Sequence, residues 1–132
     1  MSAVLDAWAV SALLNREPPA PVVAEWIERG GARISWINLG EVRYTQIRRV
    51  GTARTDAAIA EVRRSVIAEL PDQDLVLEAA AIKAVHAISY ADCFAVATAE
   101  RHELPLVTGD PELVGLERPL VDVVDIRAER GH

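Results

Sequence analysis

Short apolar runs alternate along the chain with longer segments of helical periodicity, and this alternation constrains the fold more than any other feature. Five runs have the length and character of buried strands: residues 3–5, 34–37, 75–77, 104–108 and 121–124. The first three segments between them hold helical patterns, as connections between parallel strands require. The sequence therefore predicts an α/β fold with a mainly parallel central sheet that helices cover on both faces.

Helix boundaries follow from apolar spacing and from end signals. We predict helices over residues 8–14, 21 to the glycine pair at 30–31, 38–50, 52–70, 78–86 and 90 to about 99. Two of them begin with the pattern of a capping box, which is an N-cap side chain followed three residues later by an acid. These are Asn38 with Glu41, and Ser89 with Asp92.

Length and composition fit one globular domain over residues 1–132. The chain has one cysteine, which excludes an intrachain disulfide and a cysteine-rich zinc site. The longest uncharged stretch, residues 7–15, is too short to cross a bilayer, and no signal peptide is visible. We therefore expect a cytoplasmic protein without a membrane partner.

Four acidic residues stand near strand ends or helix starts. Asp6 directly follows the first predicted strand, and Asp110 follows the fourth by two residues. Glu41 and Asp92 lie in the first turns of two predicted helices. Because ligands bind beyond the carboxyl ends of parallel strands, we expect the four side chains to converge there.

Clustered carboxylates repel one another unless a cation intervenes or some of them bind protons. Mg²⁺ favours carboxylate oxygens together with exchangeable waters, and such a site can activate water against a phosphodiester. Each acid alone also has an interpretation as a helix cap or turn residue. Asp6 resists that interpretation, because it lies between Leu5 and a helix that looks buried, where a carboxylate needs a partner.

Four blocks of sequence resemble the signature of PIN-domain ribonucleases: VLDA at 4–7, NLGEV at 38–42, SYADCFA at 89–95 and LVTGDP at 106–111. Their order and spacing are most similar to the VapC-type toxins of bacterial type II toxin–antitoxin pairs. The resemblance covers essentially the whole chain. It implies a three-layer α/β/α domain that hydrolyses RNA with Mg²⁺ or Mn²⁺, a small antitoxin partner and a homodimer.

The resemblance also implies roles for individual residues. The catalytic, metal-binding acids would be Asp6, Glu41, Asp92 and Asp110. Supporting positions would be Ser89 and Thr108, whose hydroxyls can orient a carboxylate, and Glu112, which would add a charge beside them.

Trp8 departs from the family pattern, which commonly has Ser or Thr two residues after the first aspartate. A hydroxyl that could order that aspartate is therefore missing. Two roles remain open for the indole. It could pack in the core, or it could form a wall of the site and stack on a nucleobase.

The formal net charge is −6, which alone argues against a nucleic-acid partner. Residues 43–64 differ, because six arginines there face only two acids. We expect RNA or antitoxin contacts from four arginines in this segment, although a solvated helical face is an equal alternative. They are Arg43, Arg48, Arg49 and Arg54.

The main hypothesis is a metal-dependent endoribonuclease of VapC type. One alternative is a PIN-like binding or scaffold module with weak or no catalysis, which Trp8 would favour. Another is a DNA-directed nuclease of similar fold. A phosphorelay receiver is disfavoured because Lys83, the only lysine, lies within a predicted helix. A dehalogenase-type phosphatase would need an aspartate at the position of Trp8.

Overall fold

A computed structural model describes residues 1–116 and 120–129 and contains one sheet of five parallel strands. The strands are β1 (Val4–Leu5), β2 (Arg33–Ser35), β3 (Ile67–Glu69), β4 (Leu106–Thr108) and β5 (Val123–Asp125). Their order across the sheet is β3-β2-β1-β4-β5, so β1 is central. The predicted α/β fold with a mainly parallel sheet is confirmed.

Eight helices surround this sheet in the part of the chain that the structure describes. The long ones are α1 (Ala7–Leu14), α2 (Ala20–Glu28), α3 (Trp36–Val50), α4 (Thr52–Val62), α5 (Gln73–Val85) and α6 (Tyr90–His102). Two short ones, α7 (Pro111–Val114) and α8 (Ile126–Glu129), follow β4 and β5. No helix within the described ranges is both long and apolar enough to cross a membrane.

The core divides into two clusters because successive strand residues point to opposite faces of the sheet. Leu5 and Val107 belong to the cluster that α1, α2, α3 and α4 cover. Val4 and Leu106 belong to the cluster that α5 and α6 cover. The sheet is therefore the middle of three layers, as the family resemblance implies.

The predicted helix over residues 52–70 is wrong in its second half. The helix ends at Val62, and Ile67–Glu69 pairs with β2 as an edge strand. The backbone N–H of Ile67 donates to the carbonyl of Ala32 at 2.8 Å. The Arg33 guanidinium donates to the Glu69 carboxylate at 3.1 Å. These pairings with β2 override the helical spacing of the apolar residues.

The predicted strand at 75–77 is also wrong, because these residues belong to α5. Asp72 caps this helix by accepting from the backbone N–H of Leu75 at 2.9 Å. Leu75 is buried whereas Leu77 is 61% exposed, as expected on opposite sides of a helix. A three-residue apolar run does not distinguish a strand from part of a helix. The strands predicted at 104–108 and 121–124 exist with shifted ends.

The start of α3 differs from the predicted capping box. Ser35 is the N-cap and accepts from the backbone N–H of Ile37 at 3.2 Å, so the predicted strand at 34–37 ends earlier. Asn38 lies inside the helix and Glu41 in its second turn rather than its first. The second predicted cap is confirmed, because Ser89 accepts from the backbone N–H of Asp92 at 3.1 Å.

Candidate metal centre

The site lies where the strand order reverses. The chain proceeds from β1 to β2 and β3 on one side of the sheet, and then returns to place β4 and β5 on the other side. The carboxyl ends of β1 and β4 therefore flank a crevice, which is the usual ligand position in such sheets. Asp6 follows β1 directly, and Asp110 follows β4 by two residues.

Asp6 is held by two hydrogen bonds although it is only 1% exposed. It caps α1, because one carboxylate oxygen accepts from the backbone N–H of Ala9 at 2.8 Å. Its other oxygen accepts from the Thr108 hydroxyl, which in turn accepts from the backbone N–H of Asp110 at 2.9 Å. Thr108 thus connects the two acids across the crevice and fixes the Asp6 carboxylate.

Asp92 reaches the crevice from the first turn of α6 and is 6% exposed. Its position depends on how α6 packs against α3. The amide of Asn38, which is fully buried, donates to the carbonyl of Ala91 at 3.0 Å. Sequence reasoning assigned Asn38 to a helix cap and so missed this bridge, which spans 53 positions along the chain.

Three of the four predicted acids meet within a metal's reach. Ligand oxygens of Asp6, Asp92 and Asp110 all lie within 4.8 Å of one another. Glu41 is outside this group but lines the same pocket. One of its carboxylate oxygens, Oε1, is buried and has no hydrogen-bond partner within the described residues.

Burial and mutual repulsion disfavour ionisation of these acids. Loss of solvent raises the pKa of Asp6 to about 7, against the hydrogen bonds from Thr108 and Ala9, with further increases from Asp110 and Glu41. Burial, followed by the charge of Asp110, raises the pKa of Asp92 to about 8. The pKa of Glu41 is raised for the same two reasons. A bound cation would reverse this preference.

The donor set fits a hard divalent cation. The converging ligand atoms are carboxylate oxygens, which suit Mg²⁺ and Mn²⁺. None of the three clustered acids forms an ion pair with another side chain in the described parts of the chain, so an external cation would be the compensating charge. The orphaned oxygen of Glu41 offers a further ligand or water acceptor at the same pocket.

The remaining predicted residues are distributed over the surface. Glu112 donates its backbone N–H to Asp110 at 2.9 Å, but its exposed side chain lines a different depression, near His86. Arg43 pairs with Asp56 at 3.0 Å in solvent. Arg48 and Arg49 line the acidic pocket, whereas Arg54, in α4, does not. The roles assigned to these residues stay predictions.

Trp8 both packs against the core and lines the pocket. Its six-membered ring lies against Gly109, which is the residue between Thr108 and Asp110 in the sequence. A Cβ atom at Gly109 would be only 2.4 Å from two ring carbons of Trp8. The indole therefore buttresses the segment that carries Asp110.

Gly109→Ala is expected to destabilise the protein by ~1–3 kcal/mol, because the added methyl overlaps the half-buried indole. Gly109 does not adopt a left-handed φ, so the effect is steric. Thermal unfolding of the wild type, Trp8→Ser, Gly109→Ala and the double variant measures the coupling free energy between positions 8 and 109. Gly109→Ala should lower stability only slightly in the Trp8→Ser background. An equal loss of stability in both backgrounds would contradict the contact.

The pocket extends from the acids into a groove of about 540 Å³ between α1 and α3. From α1 it is lined by Ala7, Trp8 and Ser11, and beyond the end of that helix by Asn15 and Glu17. From α3 it is lined by Glu41, Thr45, Gln46, Arg48 and Arg49. The two arginines lie about two helical turns, or ~10 Å, beyond Glu41 along α3.

Comparison with known proteins identifies related folds. Residues 3–118 match the family model described as the PIN domain. No curated protein matches the chain in sequence. Among solved structures, a toxin–antitoxin complex from Klebsiella pneumoniae has 22% identity and a TM-score of 0.74, covering 95% of this chain and 98% of its own.

Two other structures extend the similarity. VapC20 from Mycobacterium tuberculosis, described as a sarcin-ricin loop cleaving toxin, has 21% identity and a TM-score of 0.72, covering 84% of this chain and 92% of its own. DNA-bound VapBC from Salmonella typhimurium has 18% identity and a TM-score of 0.75, covering 96% and 98%. At these identities the likeness shows the fold alone, which is that of VapC-type toxins.

Proposed function

The chain belongs to the PIN domain family, and from this membership and the acidic site we propose that it is a metal-dependent endoribonuclease that acts as a toxin. The observation that carries the proposal is the meeting of three carboxylates at the strand-order reversal, two of them almost fully buried. Carboxylates that are buried together without a compensating cation destabilise a fold when they ionise, so their convergence supports a cation-binding role.

In this proposal, Asp6, Asp92 and Asp110 hold Mg²⁺ or Mn²⁺, with Glu41 as a further ligand or water acceptor. The ion, when bound, supplies Lewis acidity and lowers the pKa of water. Thr108 keeps one Asp6 oxygen oriented, and Ser89 and Asn38 keep the first turn of α6 in place. The products of hydrolysis are two RNA fragments, and the protein forms no covalent intermediate.

The groove supports RNA as the substrate despite the negative total charge. Arg48 and Arg49 line its far end, and neither forms an ion pair with a carboxylate in the described residues. Local positive charge rather than net charge determines where phosphates bind. The sarcin-ricin loop that VapC20 is described as cleaving is an RNA target for a protein of this fold.

The proposed partners follow from the same relatives. The structure from Klebsiella pneumoniae is described as a toxin–antitoxin complex, and the one from Salmonella typhimurium as DNA-bound VapBC. We propose that this chain likewise binds a small cognate antitoxin, that it forms a homodimer, and that it acts in the cytoplasm.

Metal removal tests the proposal. We expect EDTA to abolish cleavage of a mixed RNA substrate, and added Mn²⁺ or Mg²⁺ to restore it, because the acids alone provide no water activation. Single-stranded DNA of the same sequence, assayed in parallel, should remain intact. Persistent cleavage in EDTA would exclude the metal mechanism, and cleavage of DNA alone would support the DNA-directed alternative. Absence of Mn²⁺ binding by titration calorimetry would favour an inactive scaffold.

A further inference from the structure

The N-terminal end of α6, which carries Asp92, is attached to the rest of the protein from two sides. The Asn38 bridge holds its first turn from α3. On the other side, the ammonium group of Lys83, in the last turn of α5, donates to the backbone carbonyl of Ile88 at 2.8 Å. Ile88 directly precedes Ser89, the N-cap of α6. Lys83 therefore ties the loop between the two helices to the helix that comes before it.

Few other hydrogen bonds support this loop. The backbone N–H of His86 donates back to α5, and the carbonyl of Ser89 accepts from Cys93 within α6. In the described part of the chain, no group other than Lys83 donates to the carbonyl of Ile88. A hydrogen bond from a charged donor is roughly twice as strong as one between neutral groups. The only lysine of the chain thus makes the strongest single contact to the loop that leads into α6.

We propose that Lys83 is a positioning residue for the acidic site, because its bond to Ile88 keeps Asp92 where all three acids can hold one cation. The ligand oxygens of these acids converge within 4.8 Å, so their spacing depends on where α6 begins. Residues that orient a metal ligand typically contribute ~10–100-fold to metal affinity or activity. The inference rests on the proposed metal-dependent function and adds a residue that is not itself a ligand.

A helix-end role is the alternative for Lys83, since a cation in the last turn of a helix stabilises that helix by itself. The two roles differ in what they affect. A helix-end role contributes to the stability of the whole fold. A positioning role governs how often the first turn of α6 opens and how tightly the acids hold an ion. Local opening and global unfolding are separate equilibria in a native protein, so the roles can be measured apart.

The single cysteine reports on the opening of α6 without any metal. Cys93 lies in the first turn of this helix and is fully buried. In EDTA, we expect Lys83→Met to increase the rate at which a thiol reagent labels Cys93 by ~10-fold, and Lys83→Arg to stay near the wild-type rate. Burial raises the pKa of the Cys93 thiol and the charge of Lys83 lowers it. Loss of that charge alone would therefore slow the labelling, so faster labelling reports opening.

Calorimetric titration with Mn²⁺ connects the opening to the site. We expect Mn²⁺ to bind Lys83→Met ~10-fold more weakly than the wild type, and to bind Lys83→Arg with nearly the wild-type affinity. Acetylation of the wild-type protein should weaken Mn²⁺ binding as Lys83→Met does, because the chain has no other lysine. Lys83→Met treated with the same reagent measures any effect of acetylation at other groups.

Arg101→Met is the matched control, because it removes a cationic contact from the opposite end of the same helix pair. Arg101, in the last turn of α6, donates to both carboxylate oxygens of Asp72, the N-cap of α5, at 2.9 Å. We expect this variant to keep the wild-type labelling rate and Mn²⁺ affinity even where its melting temperature falls.

The outcomes separate the positioning role from the proposed function. Unchanged Mn²⁺ affinity in Lys83→Met overturns the positioning role, whether or not labelling is faster or the melting temperature lower. Equal weakening of Mn²⁺ binding by Arg101→Met also overturns it, because the effect would then belong to the stability of the helix pair. Faster labelling and weaker Mn²⁺ binding in a protein that cleaves no RNA support the positioning role and overturn only the proposed catalytic function.

Discussion

Asp92→Asn is expected to lower the rate of RNA cleavage by at least ~100-fold and to leave the fold intact. Loss of a residue that merely orients a metal ligand costs about 10–100-fold in metal affinity or activity, and Asp92 is itself one of the three converging ligands. Asparagine is isosteric and keeps the backbone N–H that Ser89 caps. The measurement is initial cleavage rate at saturating Mn²⁺.

The matched control is Asp74→Asn, which makes the same chemical change at an exposed position in the first turn of α5. It should cleave at the wild-type rate. Circular dichroism and thermal unfolding check that both variants fold. Wild-type cleavage by a folded Asp92→Asn variant would remove Asp92 from the catalytic centre.

The sheet could be predicted from sequence because its strands β1 and β4 are buried on both faces. Val4 and Leu5 each contact a different core cluster, so the run at β1 is continuous rather than alternating. The edge strand β3 could not be predicted, because its half-exposed residues continue the helical spacing of α4. Pairing with β2, whose residues lie 34 positions earlier in the chain, determines its conformation.

The candidate site was predictable to the extent that it depends on strand ends. Asp6 and Asp110 follow β1 and β4, and the parallel register brings Asp6 level with Thr108, two residues before Asp110. Asp92 was identified from its place in the first turn of a predicted helix and from its family block, whereas its approach to the crevice depends on the packing of α6 against α3. The Asn38 bridge and the groove position of Gln46 have no local signal, because both depend on contacts between helices.

Asp6→Asn is expected to stabilise the metal-free protein increasingly as the pH rises from 5 to 7.5. Burial raises the pKa of Asp6 to about 7, whereas an unfolded aspartate titrates near 3.9. Folding therefore takes up a proton within this window. The stability that this proton contributes to the wild type is fully present below the pKa of the unfolded state. It is lost as the pH rises through the pKa of the folded state. Asparagine does not titrate there and keeps the acceptor for the Ala9 N–H.

The expected pH-dependent gap between the two proteins is on the order of 3 kcal/mol, since one proton changes stability by ~1.4 kcal/mol per pH unit. In EDTA the difference in melting temperature should therefore widen by roughly 10 °C across this range. The Asp74→Asn control should follow the wild type. A constant difference would show that Asp6 is ionised throughout and that its burial is compensated within the protein.

Saturating Mn²⁺ is expected to reverse the order of stability at pH 7.5, making the wild type the more stable protein. An ion that binds only the folded state stabilises it by ~4.1 kcal/mol at 1,000 times its dissociation constant, which exceeds the pH-dependent gap of ~3 kcal/mol. Asp6→Asn removes one of the three converging carboxylates, so the variant should gain much less. If the acids formed only a structural hydrogen-bond network, Mn²⁺ would leave the order of stability unchanged, because the strength of such a network does not depend on the ion. The inversion therefore distinguishes a metal centre from buried acids that only cap helices.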